Sequence, residues 1–284
     1  MAKFEHISEH IRIMHAEHET DRPILAAVAG SRRTLLIDGG ASGKHAAEFR
    51  AYLAEEGCSQ PDLMVLTHWH WDHSFGSAAW GIPVIAHRET AAVLRSLQGR
   101  DWSDQDLRSL VDQAIISENS ATDIRNEYGD DRLIQIVQPE ILFEDGLVID
   151  LGGVTVEIRH VGGDHASDSC YVYIKEDRVL HLGDALGPSV YGGPRTYTSG
   201  SFLRLLELLN EYDAKTYIES HGVPLGKEAF FLDIREWEAL ARIVHQYGNQ
   251  RAQVEEQLKA FFKADELTGE QSTAVDYFMA GFRT

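Results

Sequence analysis

An α/β fold is predicted by three features of this 284-residue chain. Through its first half, short apolar runs alternate with segments of helical spacing. The run Asp62 to Thr67 is almost uninterrupted in its apolar character, as in a strand covered on both faces of a sheet. From Leu133 the pattern turns to short strands joined by tight turns, and from Glu228 to helix.

Each element has a local reason. Ile24 to Val28 and Thr34 to Ile37 read as a hairpin around Ala29-Gly30-Ser31-Arg32-Arg33. Asp38-Gly39-Gly40 ends the second strand, Ser42 caps a helix over Lys44 to Glu56, and Gly57 stops it. After the strand Asp62 to Thr67, a helix is expected over Ser74 to Trp80 and a strand over Ile82 to Ala86. Thr90 to Leu97 and Asp104 to Tyr128 read as helices, the second with Leu107, Leu110, Val111 and Ala114 on one face. Leu147 to Leu151 and Val154 to His160 flank Gly152-Gly153, and Cys170 to Ile174 and Arg178 to Leu182 flank Lys175-Glu176-Asp177. Gly187 to Gly200 is a long Gly/Pro/Ser/Tyr loop, Ser201 to Tyr212 a helix and Thr216 to Glu219 a strand. Glu228 to Phe262 and Glu270 to Phe282 complete the chain as helices.

Composition narrows the function. With 26 Lys+Arg against 45 Asp+Glu the formal net charge is −19, which argues against a nucleic-acid partner, since nonspecific binding needs a positive footprint. Hydrophobic residues at 43% supply a sizeable core. Two cysteines make no disulfide framework and fit a reducing cytoplasm. Met1 to Ile13 lacks the apolar core of a signal peptide, and no stretch reaches the roughly 20 apolar residues of a membrane span. Asp38 to Lys44 only superficially resembles a phosphate loop, because His45 stands where a Ser or Thr should hold magnesium.

The chemistry concentrates in Thr67-His68-Trp69-His70-Trp71-Asp72-His73, directly after a strand. Extended backbone alternates faces, so His68 and His70 point the same way, and a turn then offers Asp72 and His73 to a second point nearby. Imidazole and carboxylate together suit zinc, iron or manganese better than calcium or magnesium. Further ligands must come from elsewhere. His165 lies in the turn Gly162-Gly163-Asp164-His165-Ala166-Ser167-Asp168, Asp184 ends the strand Val179 to Leu182, and His221 follows Thr216 to Glu219. Strand ends of an α/β sheet are where sites form.

HxHxDH after a strand, then a His in a glycine-flanked turn, a Gly-Asp and a final His resembles the metallo-β-lactamase superfamily from Ile37 to His221. The resemblance implies a four-layer αββα sandwich with a helical insertion at about 88–130, a catalytic domain over 1–225, and a helical segment over 226–284 packed on it. It implies that His68, His70 and His165 hold one divalent ion and Asp72, His73 and His221 another, most readily zinc, with iron or manganese as alternatives. Asp184 would bridge the two, Asp72 would shuttle a proton, and Asp38 would support the histidine loop. A hydroxide held between the ions would cleave an ester-like bond of a small molecule: a lactone, thioester, carboxylic ester or phosphodiester. An iron-dependent sulfur dioxygenase and a non-catalytic metal-binding protein are the alternatives on this fold.

Several residues carry two readings. No Cys falls at a ligand position, unlike in one large group of zinc β-lactamases. Asp164 and Asp168 either orient the ligand histidines or solvate their loop, and Tyr191 and Tyr197 either donate to an oxyanion or anchor theirs. Trp69 and Trp71 are expected to pack. His45, His87, His160, His181 and His245 read as surface or core-edge residues, and His6, His10, His15 and His18 are too irregularly spaced for a second metal patch.

Overall fold

Alternating burial along the strands stacks two sheets face to face in the computed structural model, which describes residues 2–282. The first sheet holds β1 (Phe4–His6), β2 (Ile11–Met14), β3 (Leu25–Ala29), β4 (Thr34–Ile37), β5 (Leu63–Val65), β6 (Val84–His87) and β7 (Ile141–Phe143), adjacent in that order. It is antiparallel from β1 to β4 and parallel from β4 to β7. The second sheet runs from β8 (Gly146–Asp150) through β9 (Thr155–His160), β10 (Cys170–Ile174), β11 (Val179–Gly183) and β12 (Thr216–Glu219) to β13 (Leu225–Gly226). Only its β11–β12 pair is parallel.

Period-two patterning decides which face each side chain serves. In β4, Leu35 and Ile37 enter the core between the sheets, while Leu36 meets Phe49 and Leu53 of α1 (Gly43–Glu55). In β10, Cys170, Val172 and Ile174 face the same inner core, and Tyr171 and Tyr173 face outward. The outer core of the first sheet is completed by α1, α3 (Arg88–Ser96), α4 (Asp104–Asp112) and α5 (Glu118–Tyr128). That of the second is completed by α6 (Ser199–Leu209), α7 (Lys227–Asp233), α8 (Arg235–Tyr247), α9 (Arg251–Phe262) and α10 (Gly269–Ala280). The predicted four-layer sandwich is therefore the observed one.

Three helices differ from expectation. Where Ser74 to Trp80 reads as helical, one turn, α2 (Trp71–Ser74), closes early and a 3₁₀ turn over Ser77–Ala79 follows. The reason is tertiary: the Gly76 N–H donates to Gly40 O across the site (2.7 Å), and Ser74 Oγ turns back to His70 O. The segment Asp104 to Tyr128 breaks into α4 and α5 because Ala114 adopts a left-handed φ of 57° and Ser117 caps a new helix. Glu228 to Phe262 divides at Ile234 and again at Gly248, whose φ of 63° ends α8 in the way glycine permits.

Candidate metal centre

The ligand candidates sit where strands end. His68 and His70 follow β5, Asp72 and His73 ride on α2, His165 lies in the β9–β10 turn, Asp184 follows β11 and His221 follows β12. The structure brings them into two groups, His68 with His70 and His165, and Asp72 with His73, Asp184 and His221. Within each group the ligand atoms all lie within 4.8 Å of one another. Asp184 Oδ2 stands between the groups, 3.3 Å from both His165 Nε2 and His221 Nε2 and 3.4 Å from His73 Nε2.

Hydrogen bonds behind the ligands aim them. Asp38 Oδ2 accepts from His73 Nδ1 (2.8 Å) and from Thr67 Oγ1 (2.9 Å), while its Oδ1 accepts from the Thr67 N–H (2.8 Å). His68 Nδ1 donates to Thr67 Oγ1, and His165 Nδ1 to Pro188 O. His221 Nδ1 lies 3.5 Å from Asp21 Oδ1. The bonds of His68, His73 and His165 occupy Nδ1 and turn Nε2 toward the centre. The Gly39 and Gly40 N–H groups both donate to His73 O, so the turn after β4 clasps α2.

The donor set fits a metal. His68 Nε2, His73 Nε2, His165 Nε2 and Asp184 Oδ1 are buried and lack hydrogen-bond partners, a costly state unless a cation takes them up. Burial first, and then neighbouring histidines, hold His68 and His70 well below the usual histidine value, so both offer neutral nitrogens. Burial opposes charge on His73 and His221, but the adjoining carboxylates outweigh it and hold both well above that value. Burial likewise pushes Asp72 and Asp184 upward, yet the histidines prevail and both remain strongly acidic. Neutral His68 and His70 and ionised Asp72 and Asp184 are donors that borderline divalent cations prefer, and such a cation would take the place of the protons on His73 and His221.

The groups open on a cleft of about 540 Å³, lined also by His18, Asp21, Asp123, Tyr191, Arg195 and Glu219. Its size is that of a small-molecule site. The predicted insertion contributes the wall: Ser117, Asn119, Ser120 and Asp123 come from the start of α5. Tyr191 places its ring 4.4 Å from that of His70 and its hydroxyl 3.2 Å from Ser120 Oγ. Tyr197 is a loop anchor, donating its hydroxyl to Leu186 O. Trp71 is buried and Trp69 packs against Tyr191, both outside the cleft lining.

Asp164 and Asp168 tie loops together. Asp164 Oδ2 accepts from the Thr198 N–H (2.7 Å), and Asp168 Oδ2 from Thr90 Oγ1 (2.6 Å), fastening the His165 turn to α6 and α3. His6, His10 and His15 pair separately with Glu56, Asp177 and Glu5, so they form no metal patch. His45 and His181 correct their surface or core-edge reading: both are buried, and burial lowers them to about 3 and about 4. Asp21, Asp123, Arg195 and Glu219 carried no sequence signal, because isolated charges in loops and helices look alike until the fold gathers them.

Comparison with known proteins gives a consistent picture. A family model described as the metallo-beta-lactamase superfamily matches residues 23–228. The acyl-coenzyme A thioesterase MBLAC2 of Homo sapiens is 25% identical over 233 residues, covering 77% of this chain and 79% of that protein. The Bos taurus counterpart is 26% identical over 234 residues with the same coverage. Among solved structures, a metallo-beta-lactamase from Pontibacter korlensis superposes with a TM-score of 0.56 at 20% identity, over 80% of this chain and 94% of that one.

Proposed function

Because the chain belongs to the metallo-β-lactamase superfamily, we propose that it is a metal-dependent hydrolase of thioesters that uses two divalent ions, zinc foremost. The observation that carries this reading is the placement of Asp184 Oδ2 between two groups of mutually adjacent ligand atoms. The family and the thioesterase-named relatives support hydrolysis, and those relatives, at 25–26% identity over 77% of the chain, favour the thioester. In this reading the catalytic body spans 1–225, close to the end of the matched span at residue 228, with a helical insertion at about 88–130 and the helical segment 226–284 against it. Cys58 and Cys170, both free thiols, suit the cytoplasm. No described helix is long and apolar enough to cross a membrane.

In this reading His68, His70 and His165 would hold one ion, Asp72, His73 and His221 the other, and Asp184 would serve both. Ions held there would strongly acidify water, toward neutrality, and polarise a carbonyl oxygen. The chain's own groups do the rest. Asp38, Thr67 and Pro188 keep the His73, His68 and His165 imidazoles turned toward the centre. The Asp72 carboxylate, on the cleft lining and 3.1 Å from His221 Nε2, is placed to carry a proton to the departing sulfur. Tyr191, fixed by Ser120, walls the cleft over His70 and holds the acyl group against it.

The test is a panel of thioesters, lactones, carboxylic esters, phosphodiesters and β-lactams, assayed on protein whose metal content has been measured. Turnover should be highest on thioesters and be lost in His70→Ala and Asp184→Ala with the fold retained. A metal-loaded protein inactive on every thioester, or unchanged activity in either variant, would overturn the reading.

A further inference from the structure

The cleft is charged unevenly. Beyond Asp72 and Asp184 it is lined by Asp21, Asp123 and Glu219, and among the described residues Arg195 is its one Lys or Arg. In a chain of net charge −19, several guanidinium groups find carboxylates, among them Arg22, Arg100, Arg132, Arg159, Arg178 and Arg251, while others such as Arg95 and Arg108 do not among the described residues. Arg195 forms no ion pair or side-chain hydrogen bond with any described residue, although acidic side chains share its cleft.

Its loop explains why it stays free. On one side Tyr191 is held by Ser120 and packs on His70. On the other, the Tyr197 N–H donates to Tyr277 O (3.0 Å) and its ring stacks on Phe278 at 4.8 Å. Ser189 N–H donates to Thr196 O (2.9 Å) and draws the two sides together. Between them Gly192 and Gly193, at φ of 80° and 143°, make a reversal that residues with a side chain rarely adopt. Arg195 is thus presented at the exposed rim of the cleft and kept away from the carboxylates deeper inside. A guanidinium stays charged at any working pH and matches a carboxylate or phosphate with two parallel bonds. Arg195 is the one fixed cation that the described chain itself brings to this lining, and at the rim an anion meets it before the carboxylates deeper inside.

We propose that Arg195 anchors a fixed negative charge of the substrate, a carboxylate or a phosphate, and so selects anionic thioesters over neutral ones. This specificity rests on the thioester reading of the centre. It assigns Arg195 to substrate binding and not to bond cleavage.

Three non-hydrolysable thioethers with one octyl chain separate the possibilities: S-octylglutathione carries carboxylates, S-octyl-coenzyme A carries phosphates, and S-octyl-N-acetylcysteamine is uncharged. Their equilibrium binding to the metal-loaded protein, to Arg195→Ala and to Arg195→Lys is measured by calorimetry. Loss of Arg195 should weaken at least one charged probe by on the order of tenfold, as for one charge-assisted contact, and leave the neutral probe unchanged. The charged probe that weakens identifies the anion, and lysine should restore part of the loss. Equal losses on all three probes, or no loss on either charged probe, would overturn the proposal. A protein that binds the charged probes through Arg195 yet hydrolyses no thioester would sink the reaction and leave the anchor standing.

Discussion

His73 donates from Nδ1 to Asp38 Oδ2 over 2.8 Å, and neither residue exposes any surface. Asp38 itself adopts a left-handed φ of 63°, which aspartate and asparagine tolerate better than most residues. Asp38→Asn therefore keeps the backbone while removing the charge that fixes the His73 ring. Metal affinity should fall by about 10–100-fold, read by competition with a chelator. Unchanged affinity would restrict Asp38 to holding Thr67.

Gly76 is required for space. A Cβ there would come within 2.4 Å of Gly39 O and 2.8 Å of Gly40 O, so the turn clasping α2 must open. Gly76→Ala should lower both metal content and melting temperature. A variant of full metal occupancy and unaltered stability would show that the turn yields at no cost.

Arg22 and Glu127 form a nearly buried ion pair, with Arg22 Nη2 to Glu127 Oε1 at 2.8 Å and Nε to Oε2 at 2.9 Å. Ser42 Oγ and Thr20 Oγ1 also donate to Glu127. The pair fastens α5, and with it one cleft wall, to the first sheet. Glu127→Ala leaves Arg22 only the longer contact to Glu48 (3.4 Å) and should cost about 3 kcal/mol in denaturant unfolding. Removing both charges with well-packed apolar residues should cost clearly less. Equal costs would mean the pair does not couple.

Asp168 gives stability a pH signature. Burial raises its pKa from 3.8 to about 6, so between those values the folded protein binds a proton that the unfolded chain releases. The contribution of this residue to stability thus falls as pH rises from about 4 through 6, since the buried carboxyl must ionise. Asp168→Asn, which can still accept from Thr90, should flatten that slope and be the more stable protein at pH 7. A variant with the same slope between pH 4 and 7 would refute this.

The legible part of the centre was what one strand end and chain order could carry. His68, His70, Asp72 and His73 fall within six residues, and His165, Asp184 and His221 each follow a recognisable strand. The layers were legible because β4 and β10 alternate faces so regularly. Helix breaks were not, since Ala114 in a left-handed conformation has no local signature and Gly76 is diverted by a partner 36 positions away. The second half of the cleft was hidden for the same reason. Asp21 is held by the Glu17–Arg22 bridge and Arg195 by a loop strapped at both ends, arrangements set by distant contacts.

One of those straps joins the entrance to the far end of the protein. Every candidate ligand precedes residue 222, whereas Tyr197 takes its backbone bond and its ring partner from α10. A change confined to the Phe278 ring would therefore be felt at the doorway, on the far side of the sheet end that carries the candidate ligands.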